Sequence, residues 1–168
     1  KEMIELCHKL DGSRAVTAGI NLMIIANAAK GKEMYHAEGG INTEAAGDIG
    51  GDGQSAQMPD MSRMDSTMFN SMTQMVGSNM NHSADEEEAD CATSPILDML
   101  DIAGYNYASG RYTMEGKAHP DRLILGSETF PHEIGNNWKM VKQYPYLIGD
   151  FMWTAFDYLG EAGIGAWS

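Results

Sequence analysis

Short apolar runs alternate along this chain with stretches of helical spacing. Lys1-Glu-Met-Ile-Glu-Leu-Cys-His-Lys-Leu10 places Met3, Ile4, Leu6, Cys7 and Leu10 on one side of an amphipathic helix. A turn at Leu10-Asp-Gly-Ser-Arg14 leads to Ala15-Val-Thr-Ala-Gly-Ile20, which reads as a strand with Asn21 at its end. Leu22 to Ala29, apolar and Ala-rich, predicts a short helix. Leu100-Asp-Ile-Ala-Gly-Tyr-Asn-Tyr107 predicts a second strand, and Arg111 to His119 a short polar helix with its loop. The turn signal His119-Pro120-Asp121 precedes Leu123 to Leu125, which reads as a buried third strand running to Glu128. Glu133 to Tyr144 predicts a helix with Ile134, Trp138 and Val141 on one face, stopped by Pro145. Leu147-Ile-Gly-Asp-Phe-Met-Trp-Thr154 predicts a fourth strand, and Gly160 to Ser168 a Gly-rich loop.

Strands alternating with helices predict parallel βα units and an α/β fold class. Four units in a row are half of an eight-stranded barrel; an open four-stranded sheet in a small domain is the competing arrangement. The start inside a helix favours the half barrel, with Val16, Ile102, Ile124 and Phe151 pointing into its interior.

The pattern breaks between the first and second strands. Residues 31–65 are rich in Gly, Ala, Met and Asp. Gly47-Asp-Ile-Gly-Gly-Asp-Gly53 follows no strand and precedes no Lys-Ser or Lys-Thr, so it makes no phosphate loop. Asp48 and Asp52 lack the ordered ligands of a calcium loop. Ser66 to Val76 predicts a helix whose stripe of Met68, Phe69, Met72, Met75 and Val76 suits core packing better than copper binding. Asp85 to Asp90 reads as the first turn of a helix or as a solvated linker, and Ser94-Pro95 as N-cap and N1 of a brief helix through Met99. The expected organisation is one partial barrel domain, 1–168, interrupted by an irregular, acidic, Met/Gly-rich insertion at about 31–94.

Composition narrows the partners. The net charge is −13, and residues 38–90 carry −10 of it, with 11 acidic groups against Arg63. Nucleic acid and anionic membranes are poor partners for such a chain. No apolar run approaches the length of a membrane span, and the first residues form no signal peptide. Cys7 and Cys91 lack CxxC spacing, so two free thiols are expected rather than a zinc or redox site. No metal and no cofactor is expected.

The candidate chemistry sits at Glu128. Gly126, Ser127 and Thr129 flank it at the end of the third strand. The carboxyl ends of parallel strands are where a (β/α)8 barrel keeps its reactive groups.

Four segments now carry a resemblance. Ala15-Val-Thr-Ala-Gly-Ile-Asn21, Leu100-Asp-Ile-Ala-Gly-Tyr-Asn-Tyr107, Leu125-Gly-Ser-Glu-Thr129 and Gly149-Asp-Phe-Met-Trp-Thr-Ala-Phe-Asp-Tyr-Leu-Gly-Glu161 come in the order and spacing of the last four barrel strands of glycoside hydrolase family 2. They resemble its β-galactosidases most closely, and the likeness lapses over roughly residues 30–90. The resemblance implies the C-terminal half (strands 5–8) of a (β/α)8 TIM barrel, and a retaining hydrolase of terminal β-linked sugars. Glu128 would match the nucleophile, and Tyr107 a tyrosine that contacts it. Trp153 would match an aromatic wall of the sugar site, and Asn106 and Asp157 would touch substrate. The family's acid/base glutamate follows an Asn on an earlier strand; no Asn-Glu pair occurs in this chain. The implied partners are the β-linked sugar and the missing N-terminal barrel half. A β-glucuronidase would need a cationic or amide clamp, which the acidic last loop with Asp157 and Glu161 does not offer. A non-catalytic sugar-binding or structural fragment, with Trp153 as platform, is the third reading.

Overall fold

The computed structural model describes residues 1–31 and 87–153. Five α-helices fall within them: α1 (Glu2–Leu10), α2 (Leu22–Ala29), α3 (Glu87–Leu97), α4 (Tyr112–Ala118) and α5 (Ile134–Gln143). Four strands accompany them: β1 (Thr17–Asn21), β2 (Ile102–Asn106), β3 (Ile124–Thr129) and β4 (Leu147–Met152). A 3-10 turn at Ser109–Arg111 leads into α4. The strands form one parallel sheet in the order β1-β2-β3-β4. Parallel neighbours need a long crossover, and helices follow β1, β2 and β3. The fold is thus mixed α/β, with every expected strand in place. Among the described residues no helix is long and apolar enough to cross a membrane. The expected Ser66–Val76 helix lies outside the described residues.

The core lies between the sheet and helices. Ala103 and Tyr105 of β2, Ile124 of β3 and Leu147 of β4 pack with Leu22, Leu97 and Tyr112. Asn21 ends β1 and caps α2: its Oδ1 accepts the Ile24 N–H at 3.1 Å. That cap turns the chain sharply, so that α2 lies against α3 with Leu22, Met23 and Ala26 buried.

Several local expectations need correction. Of the two readings of Asp85 to Asp90, the helical one holds over the described residues: α3 starts at Glu87 with acidic groups in its first turn, and it runs on through residues 91–94, burying Ala89 and Thr93. Ser94-Pro95 starts no new helix; Pro95 lies inside α3, which stops two residues later at Leu97. The helix tolerates the proline because only its last turn follows, and the Thr93 hydroxyl donates to the Ala89 carbonyl at 2.7 Å. Ile124 belongs to the helix-side core and not to the opposite face with Phe151. Leu123 is exposed, because β3 begins one residue later. Trp138 is half exposed, and α5 buries Asn137 in its stead, with Met140 and Val141 against the core. The apolar side of α1 is largely uncovered among the described residues: Met3 and Leu10 are more than three-quarters exposed, and only Ile4 is partly buried. Cys7 and Cys91 are free and exposed.

A buried ionic network ties the helices to the sheet. Glu115 of α4 accepts from Arg111 Nε at 2.6 Å and from Arg122 Nη1 at 3.2 Å. Arg111 also meets Asp90 of α3 at 3.0 Å, and Arg122 meets Asp98 at 2.5 Å and the Tyr105 hydroxyl at 3.3 Å. Paired this way, both guanidiniums are buried without an uncompensated charge.

Candidate active site

Two irregularities in strand pairing shape the carboxyl edge of the sheet. Tyr105 pairs with Gly126, but the next residue, Asn106, pairs with Glu128. Ser127 and Glu128 therefore occupy an interval where a regular strand has one residue, a bulge of the kind that re-aims side chains. On the β4 side, Ile124 pairs with Leu147 and Gly126 with Asp150, so β4 carries the extra residue there.

The bulge brings polar side chains together across the strands. Ser127 Oγ donates to Asn106 Oδ1 at 2.7 Å. Gly19 of β1 makes room for that pair: a Cβ there would lie 2.6 Å from Asn106 Oδ1 and 3.2 Å from Ser127 Oγ. Gly104 does the same from β2, where a Cβ would overlap the Ala18 carbonyl and approach Ser127 Oγ. These glycines are needed for close approach and not for turning.

Tyr107 follows directly and has φ +54°, a left-handed conformation that bulky residues rarely adopt. Its N–H donates to the Glu128 carbonyl at 2.8 Å, which ties the strained residue to the bulge. Its ring lies 4.5 Å from that of Phe130, which in turn stacks on His132 at 5.7 Å. Trp153 is anchored in the same manner: its N–H donates to the Thr129 carbonyl at 2.9 Å, and its side chain is half exposed. Glu128 itself is half-buried. Asn106, Tyr107, Glu128 and Trp153 thus gather at the carboxyl ends of β2, β3 and β4. Asp157 lies outside the described residues.

Beneath this edge, on the helix-covered face, is a polar cluster that sequence reasoning missed. Tyr112 Oη donates to Asp150 Oδ1 at 3.5 Å, and Asn137 Nδ2 donates to Thr129 Oγ1 at 3.1 Å. Burial pushes the Asp150 carboxyl above the usual aspartate range, against the opposing pull of Thr129, Asn137, Tyr112 and the Phe151 N–H. Burial, and then the charges of Asp150 and Glu133, raise the Tyr112 hydroxyl well above an ordinary tyrosine, so it stays a proton donor. Asp150 lies inside the Gly149-Asp-Phe-Met-Trp153 motif, and Ser127 and Thr129 flank Glu128. Their membership of those motifs was the available signal, while Tyr112 and Asn137 carry none.

No family model and no curated protein matches the chain. Among solved structures, it is similar to a glycosyl hydrolase family 2 member from Bacteroides cellulosilyticus, with 30% identity over 60% of this chain and 15% of that one, at a TM-score of 0.40. A second structure of a family 2 member from the same species matches at 27% identity over 54% of this chain and 12% of that one, with a TM-score of 0.37. The chain spans less than a sixth of the length of either.

Proposed function

We propose that this chain is the C-terminal half, strands 5–8, of a (β/α)8 barrel, and that it carries the nucleophile of a retaining hydrolase of terminal β-galactosides. The observation that carries this reading is the gathering of Asn106, Tyr107, Glu128 and Trp153 at the carboxyl edge of one parallel sheet. They stand there in three of the four motifs that resemble glycoside hydrolase family 2.

The chemistry follows from the groups. A retaining glycosidase uses two carboxyls about 5 Å apart across the scissile bond. Glu128, ionised, attacks the anomeric carbon and forms a glycosyl ester as the leaving oxygen takes a proton from the second carboxyl. That second group then removes a proton from water, which displaces Glu128. The chain has no Asn-Glu pair, so in this reading the acid/base comes from the preceding barrel half. Tyr107 and Asn106 orient Glu128 and the sugar hydroxyls, and Trp153 packs on the apolar face of the ring. Asp157 completes the substrate contacts.

The test uses the full-length protein with a nitrophenyl galactoside and a mechanism-based fluorogalactoside. The expected outcome is hydrolysis with retention and a covalent label on Glu128, read by peptide mass spectrometry. A label on another glutamate overturns the assignment of the nucleophile. Hydrolysis of the glucuronide alone transfers the reading to a β-glucuronidase. Sugar binding without hydrolysis of either makes the site a non-catalytic platform.

A further inference from the structure

We propose that Phe130 is a positioning residue: seated on Met23, it holds the ring of Tyr107, and with it the left-handed backbone there, at the carboxyl end of β2. The consequence for turnover rests on the reading of Tyr107 as a residue that orients Glu128; the consequence for the Tyr107 backbone does not.

The hold is built up from the end of β1. Asn21 caps α2 with no loop in between, its Oδ1 accepting the Ile24 N–H at 3.1 Å. The first turn of α2 therefore starts at the carboxyl edge of the sheet and brings Met23 and Ile24 there. Met23 and Phe130, both more than nine-tenths buried, form a small apolar cluster against which Ile24 and Tyr107 pack. That cluster is separate from the main core, which is built on Leu22, Tyr105, Ile124 and Leu147.

The backbone around Phe130 is fixed on both sides. The preceding carbonyl, of Thr129, accepts the Trp153 N–H at 2.9 Å, and the Phe130 carbonyl accepts the Glu133 N–H at 3.0 Å. Against this support lies the Tyr107 ring, with centroids 4.5 Å apart and planes tilted by 36°. His132, exposed, stacks on the same phenylalanine at 5.7 Å.

Tyr107 needs such a support. At φ +54° its Cβ crowds the backbone, and a conformation of that kind persists only where the surroundings hold it. The bond from its N–H to the Glu128 carbonyl, at 2.8 Å, fixes the path of the main chain and leaves the side chain free to rotate. The ring contact with Phe130 fixes the direction of the side chain. A residue there only to fill space could equally be Leu or Met; what the phenylalanine adds is a flat face for another ring.

The test uses Phe130→Ala and Phe130→Leu in the full-length protein, each in the wild-type and the Tyr107→Phe background. Residue-resolved hydrogen exchange reads the hold directly. In Phe130→Ala the Tyr107 amide should exchange at least about 10-fold faster, the scale of one lost aromatic pair. The amides of Ala103 and Ile124, bonded to the carbonyls of Leu123 and Tyr146, should keep their rates. On the galactoside, Phe130→Ala should lower kcat roughly 10–100-fold at nearly constant KM, the size of effect expected when a group at the reacting centre is misplaced by about 1 Å. In the Tyr107→Phe background, where the hydroxyl is already gone, the same substitution should cost less than about 2-fold. Phe130→Leu keeps the apolar volume but not the flat face, and should show the same pattern to a smaller extent. Unchanged exchange at Tyr107 overturns the proposal, as does faster exchange shared equally by Ala103 and Ile124, or an equal kcat loss in both backgrounds. A wild type without turnover defeats the functional reading alone, and the exchange rates then decide the role of Phe130. If Phe130→Ala does not fold, Phe130→Leu decides both points.

Discussion

The two faces of the sheet are built from different materials. The helix-covered face holds Tyr105, Tyr112, Glu115, Arg111 and Arg122, large side chains locked by charge pairs and nearly or fully buried. The opposite face holds Gly19, Gly104, Gly149 and Leu125, with Asn106 and Ser127 joined above them and Phe151 and Trp153 left exposed. One face spends its residues on being filled; the other leaves space and places a few polar groups at its rim. In physical terms the first face is built for stability, and on the proposed reading the second is the face that binds the sugar.

If that division holds, the most severe loss of function should come without loss of stability. Glu128→Gln in the full-length protein should lower turnover on the order of 10⁵-fold, the scale of removing a nucleophile, with unchanged denaturation midpoint and retained ligand binding. A large drop in the midpoint would show that Glu128 belongs to the fold. The reverse experiment lies on the helix-covered face. Glu115→Ala leaves Arg111 and Arg122 facing each other without their shared counter-charge. It should cost about 3–5 kcal/mol in chemical denaturation, the usual penalty for breaking a buried pair. Activity per folded molecule should stay near wild type. If Glu115→Ala is nearly neutral, the network is dispensable and the contrast between the faces fails.

The same division explains what was legible in the sequence. All four strands and the helices α1, α2, α4 and α5 were readable because apolar periodicity and turn residues are local signals, as at Pro120 before β3 and Pro145 before β4. The positions of Asn106, Tyr107, Glu128 and Trp153 at strand ends were readable for the same reason. The Arg111–Glu115–Arg122 network was not, because its partners meet only when α4 folds back on the sheet. The strand irregularities were equally silent, and they decide faces: the extra residue in β4 between Leu147 and Asp150 puts both on the helix-covered side, where an unbroken strand would set them on opposite faces. The left-handed Tyr107 has no sequence signal at all.

A smaller effect is expected from filling the space on the open face. Gly104→Ala drives a Cβ against the Ala18 backbone carbonyl, which cannot rotate away, and crowds Ser127 Oγ. The expected cost is about 1–3 kcal/mol, the range for overpacking. Gly19→Ala meets instead the movable Asn106 side chain and should cost less stability while disturbing the Asn106–Ser127 pair more. Equal effects of the two on stability, or none on sugar affinity from Gly19→Ala, would blur the distinction between the faces.

The smallest predicted effect separates two aspartates of the helix-covered face by the sign of their pH dependence. Asp90 is partly exposed on α3. Burial is the largest single influence and raises its carboxyl, but the hydrogen bond from His119, the charge of Arg111 and the hydrogen bond from Ser94 together outweigh it and hold the carboxyl below its ordinary value of 3.8. A depressed folded-state pKa means that the folded protein binds the proton less tightly than the unfolded chain. The stabilisation is then complete above about pH 4 and is lost as pH falls through the folded-state value. Asp150 has the opposite sign. Its raised carboxyl weakens the fold where the group is charged, above its folded-state value, and that penalty is gone below about pH 4. Asp90→Asn should therefore flatten the acid limb of the stability curve, by less than about 1 kcal/mol given its exposure. Asp150→Asn should steepen the acid limb, because it removes a penalty present at neutral pH and absent in acid. Denaturation midpoints measured from pH 3 to pH 7 for both variants check this, and two curves bending the same way would refute the assignment of at least one of the two carboxylates.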